Sequence, residues 1–150
     1  MDRRLRKYVL YRVQSREKSR KELDRLESIR KEMRGDVIDE SSSVMDGQPR
    51  GKGGTSDVTQ RKAFRLIEID RRIDKLKMEL SAIKNVEDKI YLMGGKAKTI
   101  YIETIKKECT DLTAKAQIIG MGRAQLIRGR AKILQLFAKE MGEYIDMKEL

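Results

Sequence analysis

From Thr55 to Met93 the chain runs without a glycine or proline, and Leu66, Ile69, Ile73, Leu76, Leu80, Ile83, Val86, Ile90 and Met93 recur at steps of three or four. Side chains at that spacing share one stripe of an α-helix, and a mean step of 3.5 is the repeat of a coiled-coil seam. The pattern predicts one long helix over 57–93, started by Ser56 or Asp57 with Gln60 in capping-box position. Such a stripe has to be covered. Either the first helix of the chain folds back on it in a hairpin, or a second copy pairs with it in a homodimer, and the sequence leaves both open.

The remaining segments extend the all-α expectation. Met1 to Arg34 contains no glycine or proline and reads as a basic N-terminal helix (1–34). Its apolar patches are Leu5, Tyr8, Val9 and Val13 at one end and Leu23, Leu26, Ile29 and Met33 at the other, with a polar, wet middle from Gln14 to Glu22. Arg3, Arg4, Arg6, Lys7, Arg12 and Arg16 form an acid-free run whose plainest role is a solvated face. Residues 35–56 hold five of the eleven glycines, three consecutive serines and the only proline, which predicts a flexible linker. Lys96 to Cys109 reads as a shorter helix after the Gly94-Gly95 break, supporting a C-terminal domain over 96–142. An acidic tail, 143–150, closes the chain.

Within that domain, Asp111 and Glu140 enclose Lys115, Arg123, Arg128, Arg130, Lys132 and Lys139 with no acid between them. Missing carboxylates matter because they would cancel positive potential within a Debye length of about 10 Å. The same run should break in the middle. Asp111 caps a first helix carrying Leu112, Ala116 and Ile119, Gly120 supplies the left-handed residue that ends it, and Met121 fills the corner. A second helix restarts near Gly122 with Leu126, Ile133 and Phe137 inward. That is a helix-turn-helix, with small Ala116 at the point of contact. With Leu126 inward, Ala124, Gln125, Arg128, Ala131 and Lys132 face outward. The base-reading candidates are Arg123, Gln125, Arg128 and Lys132, since arginine pairs with guanine and glutamine with adenine through two hydrogen bonds each. Lys115 and Arg130 suit phosphates. Gly129, inside the second helix, costs about 1 kcal/mol relative to alanine.

Composition supports a polyanionic partner. The 35 Lys and Arg outnumber 24 Asp and Glu, a net charge of +11, and two Phe with no Trp argue against a large globular core. The chain has no histidine, so the commonest general base and metal ligand is absent, and Gly94-Gly95-Lys96 lacks the spacing of a phosphate loop. Neither catalytic nor metal-binding residues are expected, and no cofactor. Cys109 is the only cysteine, which forbids an internal disulfide and fits a reducing cytoplasm. No signal peptide and no membrane-spanning segment is read.

The order of parts resembles the phage late-gene transcriptional activators of the RinA and ArpU type. The basic N-terminal helix, the stretch GKGGTSDVTQRKAFRLIEI (residues 51–69) and the segment IIGMGRAQLIRGRAKILQLFA (residues 118–138) carry the similarity. The last is similar to sigma-factor region four, whose second helix enters the major groove. The resemblance implies a phage or prophage regulator acting on double-stranded promoter DNA in a bacterial host, in contact with host RNA polymerase. Two other classes compete. A terminase small subunit-like DNA-packaging protein also joins such a motif to an oligomerising coiled coil, and a coiled-coil scaffold or RNA-binding protein would show no duplex preference.

Overall fold

In the computed structural model, which describes residues 1–42 and 57–142, the chain forms α1 (Arg3–Gln14), α2 (Arg16–Ser42), α3 (Asp57–Met93), α4 (Gly95–Tyr101), a π-helical turn (Ile102–Lys106), α5 (Leu112–Ile118) and α6 (Arg123–Met141). The fold is all-α, without a strand among the described residues. None of the described helices is long and apolar enough to cross a membrane. The linker residues 43–56, with the cap expected at Ser56, and the acidic tail fall outside the described part, and Asp57 is described only as the first residue of α3.

Four expectations need correction. The N-terminal helix is interrupted at Ser15, where ψ reaches 7°, and α2 continues past Arg34 to Ser42. Gly35 does not stop it: one glycine costs about 1 kcal/mol, and an established helix gains a hydrogen bond with each added residue. The polar middle is wet on one face only, where Glu17, Lys18, Arg20 and Lys21 are exposed. Ser15 and Ser19 are buried, because the neighbouring arginines are neutralised from α3. Arg12 forms a two-pronged ion pair with buried Glu79, and Arg16 pairs with Glu87, which also accepts a hydrogen bond from the Tyr101 hydroxyl. Finally, the helix after the Gly94-Gly95 break is shorter than 96–109. It widens into a π turn, closed by Lys107 N–H donating to the Ile102 carbonyl at 3.1 Å, and Cys109 lies beyond it. Wider winding lets Ile100, Tyr101, Thr104 and Ile105 all reach the interior. The Thr104 hydroxyl takes the Ile100 carbonyl at 2.7 Å, competing with the regular backbone partner.

The chain divides into two compact units. One unit is Arg20–Lys77. There Arg34 and Arg30 lie 3.4 and 3.5 Å from Asp70, Lys77 lies 2.6 Å from Glu27, and Arg72 pairs with Glu22. Glu22 meets Arg72, whereas Ile29 and Met33, further along α2, lie against Val58, Arg61 and Arg65 near the start of α3, so the helices are antiparallel. Ile69, Ile73 and Leu76 are buried, and the helix that covers this part of the seam belongs to the same chain.

The other unit gathers Met1–Ser19 with Met78–Leu150. The second half of the seam, Ile83, Val86 and Ile90, joins Val9 and Val13 of α1, Ile100, Tyr101 and Ile105, and Leu126, Ile133, Leu134 and Phe137 of α6 in one core. Tyr101 is fully buried beside Phe137, with ring centroids 5.8 Å apart. Desolvation and the hydrogen bond to Glu87 push its phenol far above its usual range. Gln14 of α1 donates to the Ile105 carbonyl at 3.1 Å. The basic N-terminal helix is thus part of the C-terminal core rather than a separate arm.

Candidate nucleic-acid interface

Asp111, extended at the head of α5, accepts hydrogen bonds from the amides of Thr113 at 2.7 Å and Ala114 at 3.1 Å. The carboxylate satisfies two donors that the helix itself leaves open. At the other end Gly120 has φ +65°. Its N–H reaches the Gln117 carbonyl at 3.1 Å, and the Met121 N–H reaches the Ala116 carbonyl at 2.9 Å. This pair of crossed bonds is the Schellman closure, which needs a left-handed residue at the glycine's position. Ala116 is 3% exposed, so the chain reverses over a methyl group, and α6 begins at Arg123 after an extended Gly122.

Leu126, Ile133, Leu134 and Phe137 then face the core, and this fixes what α6 shows to solvent. Arg123, Gln125, Arg128 and Lys132 are all exposed. Arg128 donates from Nε to the Ala124 carbonyl at 3.2 Å, along its own helix. Among the described residues no carboxylate pairs with Arg123, Arg128, Lys132 or Lys139. Gly129 has a reason to be glycine: a Cβ there would lie 2.5 Å from Ile100 Cδ1. Helix α6 gives up propensity at that point to approach α4.

The two phosphate candidates are placed differently. Lys115 is half-buried and bonded at 3.0 Å to Glu103, a carboxylate brought in from the π turn. Glu103 also holds Lys107 at 2.7 Å, and these two hydrogen bonds, Lys107's first, keep its carboxyl below the usual carboxylate range. The run is free of acids in sequence but not in space. Arg130 is half-buried, and its Nε lies inside the protein without a hydrogen-bond partner. Desolvation pulls its pKa down, and the charge of Arg6 on α1 pulls the same way. Sequence reasoning missed that neighbour, because nothing local says that α1 packs on α6. The only available signal was that both segments are basic, acid-free and amphipathic.

Comparison with known proteins finds no matching family model, curated protein or solved structure.

Proposed function

We propose that this protein binds double-stranded DNA through α6, as a transcriptional regulator of the phage late-gene activator kind that its sequence resembles. One observation carries the reading: Arg123, Gln125, Arg128 and Lys132 stand exposed on a single helix, with no carboxylate partner for the three cations among the described residues. A helix anchored from behind by Leu126, Ile133 and Phe137 presents such side chains in a fixed array, as base reading in a major groove requires. The tight reversal at Gly120 supports it, because α5 braces the start of α6 without covering that array. Arg6 of α1 brings a further cation close enough to act on Arg130, whose own Nε is enclosed by protein and out of a phosphate's reach.

The test is selection of bound duplexes from a random pool, followed by binding measurements on the selected and random sequences. The expected outcome is an enriched motif for which Arg128→Ala loses about tenfold or more in affinity, while random duplex loses no more than about twofold. Failure to enrich any sequence, or equal losses on both duplexes, refutes base reading by α6.

A further inference from the structure

Helices α4 and α6 leave between them a groove of about 730 Å³. Met93, Ala97 and Leu136 give it an apolar lining, and Arg128, Lys132 and Lys139 stand along it, with no carboxylate among the lining residues. Met93 is 65% exposed. Gly129 and Ile100 also line it, and a Cβ at Gly129 would meet the end of the Ile100 side chain.

Its chemistry asks for more than a duplex supplies. Phosphates answer the cations, but nucleic acid covers methionine and leucine poorly. A single fatty acid would bring apolar surface and one charge. Three cations at positions i, i+4 and i+11 of α6 extend over about 16 Å at 1.5 Å per residue. An α-helix with carboxylates on successive turns beside an apolar stripe matches both the spacing and the floor, the helix-in-groove mode of recognition. We infer that this groove docks an acidic amphipathic helix from a partner protein, and that docking excludes DNA from α6. The exclusion rests on the DNA reading, because Arg128 and Lys132 serve both ligands; the docking does not.

The probe is a fluorescent peptide of about 18 residues built from Leu, Ala and Glu, with Leu at i, i+3, i+4 and i+7 and Glu flanking the stripe. It is titrated with the full chain, beside a scrambled peptide of the same composition and an analogue with Gln in place of Glu. The expected result is one-to-one binding, about tenfold weaker for either control and about threefold to tenfold weaker for Met93→Ser. Met93 is exposed, so that variant keeps the fold. Equal affinity for the scrambled peptide overturns the inference, since charge alone would then suffice, and so does absence of binding. Self-association of the free protein that Met93→Ser abolishes would assign the groove to a second copy and overturn it too. The exclusion is read by displacement: peptide should release a bound duplex, and Met93→Ser should weaken that release while duplex affinity stays within about twofold. Simultaneous binding of both ligands overturns the exclusion alone, and a chain that binds no duplex sinks the DNA reading while the peptide titration still decides the docking.

Discussion

The two compact units are made of the same residue types and use them in opposite ways. In Arg20–Lys77, 15 Lys and Arg are interleaved with 12 Asp and Glu, and the pairs Arg72–Glu22 and Lys77–Glu27 lie at the surface. Residues 1–19 with 78–142 hold 19 Lys and Arg against 9 Asp and Glu. Here Glu79 and Glu87 are spent inward, on Arg12 and on Arg16 and Tyr101, Glu103 and Glu140 hold Lys107, Lys115 and Lys89, and among the described residues Arg123, Arg128, Lys132 and Lys139 of α6 have no carboxylate partner. Net charge alone would say that the whole chain is basic. Pairing says that one unit has charge to offer a ligand, while the other spends it on water and on itself.

The sharpest way to break that comparison is to remove one arginine from each unit. Arg12→Met strands the Glu79 carboxylate, only 4% exposed, without its counter-ion, and loss of one partner from a buried pair costs about 3–5 kcal/mol. Arg72→Met removes the partner of Glu22 at a site where both side chains are well exposed, and a surface pair is worth about 0–1 kcal/mol. Urea unfolding of both variants should give midpoints far apart. Similar small losses would mean that Glu79 finds other partners, and the contrast between inward and outward pairing would go with it.

The glycines extend the contrast to packing. Leucine at position 129 has to push Ile100 aside, and overpacking of this kind costs about 1–3 kcal/mol, against about 1 kcal/mol regained in helix propensity. At Gly35 nothing lies within 4 Å of the added carbon, and Gly35→Ala should stabilise α2 by about 0.5–1 kcal/mol. Opposite shifts in the unfolding midpoint are therefore expected. A stabilising Gly129→Leu would show that α4 can retreat from α6, and the groove between them would then be deformable.

Much of this was legible in sequence where the determinants are local. Asp111 two and three residues before the amides that it caps, Gly120 four residues after Ala116, and Leu126, Ile133 and Phe137 at helical spacing specify α5, the turn and α6 within about thirty positions. The stripe of α3 was legible in part: Ile69, Ile73, Leu76, Ile83, Val86 and Ile90 are buried as its period requires, whereas Met93 at its end is exposed and Glu79 beside it is buried. What escaped reading depends on distant partners. Arg12 and Glu79, or Gln14 and Ile105, lie more than sixty positions apart, so a polar stretch with one buried face looks wet all round in the sequence. The same holds for the site. Exposure of Gln125, Arg128 and Lys132 followed from placing Leu126 inward, whereas the ion pair of Lys115 and the burial of Arg130 required knowing where the π turn and α1 pack.

Glu103 gives the smallest and most specific test of the charge contrast. Its carboxyl titrates below the usual range because Lys107 and Lys115 hydrogen-bond to its ionised form. Whatever these pairs add to folding is present above the ordinary carboxylate pKa and is lost as pH falls through the lowered one, so at neutral pH the pair must be removed by substitution. Glu103→Gln releases Lys115 toward the solvent beside α6. On random duplex, one additional phosphate contact should steepen the dependence of log affinity on log salt by about 0.9 and strengthen binding about twofold to fivefold at moderate salt. Asp70→Asn frees Arg30 and Arg34 in the other unit, and there the slope should hold. Equal steepening by both substitutions would show that the duplex senses total charge, and the distinction between the units would lose its meaning for binding.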